Sequence, residues 1–242
     1  LAAVQDLPTT GDQTISGSED VTDMYASGDF TYADVDSESI THVKITTLEL
    51  AGTLFLDADD DDTYDANEDV TLNQIIAIGD ITDLGFVGAA NANGNSYATF
   101  SFKVSDGTGY STDAGTNTIN LAAVNDLPTT GDQTISATED VADMYASGDF
   151  TYADVDSDSI THVKITTLEL AGTLFLDADD DDTYDAGEDV TLNQIIAIGD
   201  ITDLGFVGAA NANGNSYATF SFKVSDGSDY STAAGTNTIN LA

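Results

Sequence analysis

The stretch Ala98-Thr99-Phe100-Ser101-Phe102-Lys103-Val104-Ser105-Asp106-Gly107 sets an apolar side chain at every second position and then runs into a turn signal. A period of two puts those side chains on one face of a pleated chain, so the segment reads as a half-buried strand. The same alternation recurs at Phe30 and Tyr32, Val43 and Ile45, Leu54 and Leu56, and Ile119, Leu121 and Ala123. Between these runs stand the turn formers Ser27-Gly28-Asp29, Ala51-Gly52 and Asn93-Gly94. The spacing predicts about seven strands in the manner of a sandwich domain. Strand A falls near Thr14 to Ser16, B starts at Phe30, C at His42 and D at Thr53; E lies between Val70 and Val87, F starts at Tyr97 and G at Thr116. The expected fold is all-β, an antiparallel Greek-key β-sandwich. Thr71 to Leu84 could hold a helical turn, although its Ile-rich centre and Gly79 suit a short strand and turn better.

Shifting the sequence by 120 residues aligns it with itself: Asp6 meets Asp126, Pro8 meets Pro128, and only 9 of 120 positions differ, among them Gln5/Asn125, Glu38/Asp158, Asn67/Gly187 and Asp113/Ala233. A period this long exceeds the repeat of a solenoid and matches one independently folding domain. Two tandem domains are expected, residues 1–122 and 123–242, joined by a linker at about 122–128.

The 242 residues carry 44 acids against 4 Lys, for a formal charge of -40. That balance excludes nucleic acid, whose phosphates need basic side chains, and an anionic membrane surface. Cations are the natural partners. Without Cys there is no disulfide framework and no thiolate-held metal. Apolar runs such as Ile75 to Ile78 are too short for a bilayer and no signal peptide opens the sequence, so a soluble piece of a longer chain is expected.

The acids are not spread evenly. Residues 57 to 69 hold eight of the 22 in the first copy, and the block recurs from Asp177 to Asp189. With Asp57 as position 1, Asp59, Asp61, Thr63, Asp65 and Glu68 fall at 3, 5, 7, 9 and 12, the ligand pattern of an EF-hand-type calcium loop. The second copy repeats it with Asp177, Asp179, Asp181, Thr183, Asp185 and Glu188. Calcium takes six to eight oxygens, which alternating short carboxylates, a carbonyl at position 7 and a bidentate Glu at 12 supply; Mg²⁺ should fit worse. Position 6, where the sharp turn favours Gly, is Asp62 or Asp182. The competing reading is a solvated acidic loop of a salt-adapted surface.

A second group is Asp34-Val35-Asp36-Ser37-Glu38, with Asp154 and Asp156 as its counterparts. Alternating strands put the B-C, D-E and F-G loops at the pole where each domain begins, and the A-B, C-D and E-F loops at the other. Glu19 and Asp20 of copy one would then approach Asn125, Asp126, Asp154 and Asp156 of copy two, with Asp226 as a possible seventh ligand, in a calcium site between domains. Asp6, Asp34 and Asp36 would form the corresponding half-site of copy one. The plainer reading is turn capping, which Asp and Asn perform for local reasons.

These residues carry a resemblance. Phe30-Thr31-Tyr32-Ala33-Asp34-Val35-Asp36-Ser37, Val43-Lys44-Ile45-Thr46, Ala51-Gly52-Thr53-Leu54, Phe100 to Gly107 and Val124-Asn125-Asp126-Leu127-Pro128 resemble the cadherin-like and immunoglobulin-like repeats of giant bacterial RTX adhesins. The resemblance covers each copy. It implies a biofilm adhesin at the Gram-negative cell surface whose tandem repeats act as an extender, a monomeric rod of neighbouring repeats stiffened by Ca²⁺ that holds a distal binding module away from the outer membrane, with no direct insertion into the membrane. The linker also resembles the Asn-Asp linkers of cadherins.

Catalysis is not expected. His42 and His162 alternate with Lys44 and Lys164 on the strand face opposite Val43 and Ile45, so both should meet solvent, and no triad can be assembled. A carbohydrate-binding or homotypic adhesion module is the rival from another class; Tyr25, Tyr64 and Tyr110 are the aromatics that read as outward.

Overall fold

In the computed structural model, which describes residues 5–242, the chain divides into two compact units, Leu1–Val124 and Asn125–Ala242. Each is an all-β sandwich with its own hydrophobic core. The first unit contains β1 (Thr9–Thr10), β2 (Gln13–Ser18), β3 (Thr22–Met24), β4 (Tyr32–Ala33), β5 (His42–Thr47), β6 (Thr53–Leu56), β7 (Ile75–Ala77), β8 (Leu84–Val87), β9 (Gly94–Ser105) and β10 (Gly115–Ala122). One layer has the order β2-β10-β9-β5-β7 and the other β3-β8-β6. The second unit repeats both layers with β11 (Gln133–Ala137), β12 (Ala142–Met144), β13 (His162–Thr167), β14 (Thr173–Leu176), β15 (Ile195–Ala197), β16 (Leu204–Val207), β17 (Gly214–Ser225) and β18 (Gly235–Leu241).

The period-two reading holds where it is densest. Ala98, Phe100, Phe102 and Val104 of β9 are all buried, and they meet Val43, Ile45, Leu54, Phe86 and Ile119 between the layers. His42 and Lys44 take the opposite face of β5, half-buried instead of fully exposed.

Four details differ from the expectation. Strand B does not start at Phe30: the strand that pairs with β8 is Thr22–Met24, while Tyr32–Ala33 pairs only with Thr9–Thr10. The 3-10 turn Ser27–Asp29, in which Asp29 Oδ2 accepts the Ala26 N–H at 2.8 Å, separates the two. Phe30 is buried all the same, edge-on to Phe102 at 4.9 Å. Segment E is two short strands joined by a 3-10 turn, Ile78–Asp83; β7 joins the five-stranded layer and β8 the other. Strand A pairs with G in parallel, β2 against β10, so that layer is mixed. Tyr25, read as outward, is 2% exposed, because its ring fills the core edge-on to Phe100 at 5.9 Å.

The connections gather at two ends. At one, Thr41 N–H donates to Ser105 O, Ile78 N–H to Thr41 O, and Asp57 N–H to Asp83 O, bringing the B-C, D-E and F-G connections together. At the other, Glu19 N–H donates to Ala122 O and Asn91 N–H to Asp20 Oδ1, joining the A-B and E-F connections to the end of β10.

Candidate metal centre

The acidic loop opens where β6 ends. It folds back so that Asp69 bridges Phe55, and Tyr64 lays its ring 5.6 Å from the Phe55 ring on the outer face of the three-stranded layer. Gly85 of β8 lies beneath that ring, where a Cβ would stand 2.4 Å from Phe55 Cζ. The aromatic anchor therefore needs the glycine.

Asp57 organises the turn. It is 6% exposed, and its Oδ1 accepts the N–H groups of Asp59 at 3.2 Å and Asp60 at 2.9 Å while Oδ2 accepts that of Asp62 at 2.7 Å. Wrapping the chain around one carboxylate drives Asp60 and Asp62 to φ of 60° each. That is the left-handed region, which Asp enters more readily than most residues, and so position 6 works without its usual glycine. Glu68 clamps the far side: Oε1 accepts Ala58 N–H and Oε2 accepts Asp65 N–H, both at 2.8 Å. Thr63 donates its hydroxyl to Asp61 Oδ1 at 2.6 Å.

This wrapping brings carboxylates to one centre. Oxygens of Asp57, Asp59 and Asp61 lie within 4.8 Å of one another, as do those of Asp177, Asp179 and Glu188, and those of Asp179, Asp181 and Asp185. Their charges register the crowding. The Asp59 pKa is raised above the ordinary carboxylate value, first by Asp61, then by burial, Asp57, Asp65 and Glu68; Asp179 behaves alike. Burial pushes Asp57 in the same direction, but the N–H groups of Asp62, Asp59, Asp61 and Asp60 outweigh it and hold Asp57 below its usual value. The donor set is anionic, all oxygen and without a neighbouring Lys in the loop, so it fits a hard metal cation.

The second group is built differently. In the first unit Asp34 Oδ1 accepts the N–H groups of Asp36 at 2.8 Å and Glu38 at 3.3 Å, and Asp36 Oδ2 accepts that of Asp6 at 2.8 Å. Asp106 accepts the Thr108 and Gly109 N–H groups. In this group Asp34 Oδ2 is buried without a hydrogen-bond partner. Burial, then Asp106, Asp34 and Asp36, raises the Glu38 pKa, so these acids sense one another. In the second unit Asp126 N–H donates to Asp156 Oδ2 at 2.7 Å, and Asn125 Nδ2 to Asp226 Oδ2 at 2.9 Å, which holds the Asp226 pKa down. Tyr152 donates to Asp154 Oδ2 at 3.3 Å; burial and then the charges of Asp154, Asp226 and Asp158 push its hydroxyl up to about 12. The structure thus brings Asn125, Asp126, Asp154, Asp156 and Asp226 to one end of the second unit.

At the far end of the first unit Glu19 is fully buried. Its Oε1 accepts Val124 N–H at 2.8 Å and its Oε2 accepts Asn93 Nδ2 at 2.9 Å, while Asp20 is bound by the Asn91 N–H at 2.8 Å. Asn91 and Asn93 escaped the sequence reading, which used Asn93-Gly94 only as a turn. The close spacing of two Asn before that glycine was the available signal.

No protein-family model and no curated protein matches the sequence. Solved structures similar to the chain include human CDH23 EC21-23, at 13% identity over 98% of this chain and 70% of that one, with a TM-score of 0.44. Human protocadherin-24 EC1-2 is similar at 10% identity over 98% and 99%, with a TM-score of 0.46. An endo-fucoidan hydrolase of glycoside hydrolase family 107 is similar at 16% identity over 97% of this chain and 29% of that one, with a TM-score of 0.29. The strand order described above, independently of these likenesses, defines the fold. Among the described residues no helix is long and apolar enough to cross a membrane.

Proposed function

We propose that the chain is a stretch of the extender region of a bacterial cell-surface adhesin, in which Ca²⁺ held by the acidic loops and at the linker stiffens tandem sandwiches into a monomeric rod. Such a rod would hold a distal adhesive module away from a Gram-negative outer membrane. The observation that carries the reading is the convergence of loop carboxylates in each of two nearly identical units. Asp57, Asp59, Asp61, Asp65 and Glu68 would hold the ion in the first unit with the Thr63 carbonyl, and Asp177, Asp179, Asp181, Asp185, Glu188 and Thr183 in the second.

The ion would supply positive charge where the chain has none, offsetting the self-repulsion of a -40 polypeptide. Binding only to the folded state, it would add about 4 kcal/mol per site at a thousandfold excess over Kd. At the linker, Glu19 and Asp20, and separately Asn125, Asp126, Asp154, Asp156 and Asp226, are the groups that would recruit calcium and remove bending freedom. Asp6, Asp34 and Asp36 would do the same for a preceding repeat. Extracellular fluid, rich in calcium, suits such a device.

The test is a thermal melt of chelated protein titrated with calcium, beside magnesium and ionic-strength-matched sodium chloride. The expected result is a rise of more than about 10 °C with calcium and much less with the other two. An equal response to all three would mean that the acids are screened and not coordinated, and the calcium rod would have to be abandoned.

A further inference from the structure

The second unit carries a groove of about 380 Å³ beside its acidic loop. Asp140, Val141 and Ala142 line it from the segment that opens β12, Asp182, Thr183 and Tyr184 from the acidic loop, and Val207 from β16. Val141 is 52% exposed and Tyr184 36%, so an apolar surface and an aromatic face remain open to solvent.

The polar groups of the groove are one-sided. The Thr183 hydroxyl is already donated to Asp181 Oδ1, and the Tyr184 hydroxyl to Asp189 Oδ1 at 3.1 Å. The acceptors are not used up. Asp140 receives the Asn211 N–H on Oδ1 alone, and Asp182 is exposed. A neutral sugar would need donors as well as acceptors from its site. A cation on an apolar stem needs only acceptors, an apolar wall and an aromatic face.

We infer that this groove receives an arginine side chain presented by a partner protein, its guanidinium set between Asp140 and Asp182 and stacked on Tyr184. Arginine suits the site better than lysine because its planar fork can meet two carboxylates while lying on a ring. A second copy of this chain would not serve. It has no Arg, and its lysines are engaged: Lys44 and Lys164 sit over Tyr110 and Tyr230 at 5.7 and 5.5 Å, and Lys103 and Lys223 donate to Thr112 O and Thr232 O at 2.8 and 2.9 Å. Neither Asp140 nor Asp182 is among the proposed calcium ligands, although Thr183 of the lining is, so the groove is tested with the loop saturated by calcium.

The first unit supplies an internal control. Thr22 holds the register of Ala142, each opposite the corresponding valine of the next strand, Val87 or Val207. The extra methyl and hydroxyl of Thr22 would take up space at the equivalent position.

The experiment is a titration of the full chain, in excess calcium and near-physiological salt, with a capped glycine-arginine-glycine tripeptide followed by amide chemical shifts. The expected result is movement confined to Val141, Ala142, Tyr184 and Val207, with none for the neutral citrulline analogue. Asp182→Asn should weaken binding about tenfold. Ala142→Thr should weaken it similarly, and it places a residue the first unit already folds with. Shifts spread over all acidic surfaces, equal shifts from the citrulline peptide, or a titration that Ala142→Thr leaves unchanged would each overturn the assignment.

Discussion

The acidic loop at residues 57–69 and the group around Asp34, Asp36, Glu38 and Asp106 are both rich in acids whose oxygens accept backbone N–H groups, yet their carboxylates are arranged differently. In the loop a single segment winds around Asp57, and left-handed Asp60 and Asp62 turn alternate carboxylates toward one centre. In the other group the acids come from two connections, and Asp34 Oδ1, Asp36 Oδ2 and Asp106 Oδ1 each accept backbone N–H groups. Acid density alone therefore does not make a metal centre. Winding one segment around Asp57 is what gathers alternate carboxylates within 4.8 Å of one another, as the proposed centre requires.

The largest expected effect is from Asp57→Ala. It removes both a convergent carboxylate and the acceptor of three N–H groups, so the first unit should lose more than about 10 °C of melting temperature in calcium and still lose part of that under chelation. Retention of the full calcium response would dissolve the distinction between the two regions. Glu68→Ala comes next. It should lower the calcium-bound melting temperature of the first unit by about 5 to 10 °C and leave that of the second unit in place, as scanning calorimetry with resolved transitions would show.

Titration sharpens the contrast further. In chelated protein the raised Asp59 pKa means that its ionised form opposes folding above that pKa, a penalty relieved as pH falls through it. The lowered Asp57 pKa acts oppositely: its contribution is present above the unfolded value and lost as pH falls through the folded one. Stability of the chelated protein should rise from neutral pH into mild acid and then fall, and Asp59→Asn should flatten the rise. A monotonic loss of stability from pH 7 downward would contradict the crowding of the loop.

The smallest thermal effect belongs to the second region. Asp154→Ala with Asp156→Ala should change the melting temperature by only a few degrees. Small-angle scattering in calcium should nevertheless show a more flexible chain. An unchanged scattering profile would remove the linker from the proposal and leave calcium to the loops alone.

The sequence made some of this legible in advance. Strand β9 and the convergent residues of the loop could be read directly, since a period of two and a spacing of two are local properties of the chain. Strand B could not. Phe30 and Tyr32 alternate as well as any pair, but the Asp29 turn diverts them, and Thr22–Met24, with little apolar signal, takes the place beside β8. Glu19 could be singled out from the sequence as a candidate ligand, but its burial could not: its partners Asn93 and Val124 come from distant parts of the chain.

Nearly identical copies make the division plain. At Gly17 a Cβ would stand 1.6 Å from Asp23 Oδ2, an oxygen buried without a hydrogen-bond partner, whereas the second unit has Ala137 there and its Asp143 Oδ2 accepts the Thr138 N–H at 2.6 Å. Burial raises the Asp23 pKa against the opposing hydrogen bond from the Ser18 backbone. By itself the sequence determined the repeat, the strand periodicity, the charge that calls for cations and the spacing of the loop, all of which follow from neighbours along the chain. The tertiary structure alone decided which tyrosine enters the core, which strand pairs in parallel and which carboxylates keep a free oxygen. Those outcomes depend on which surfaces meet after packing, and residues far apart in the chain settle them together.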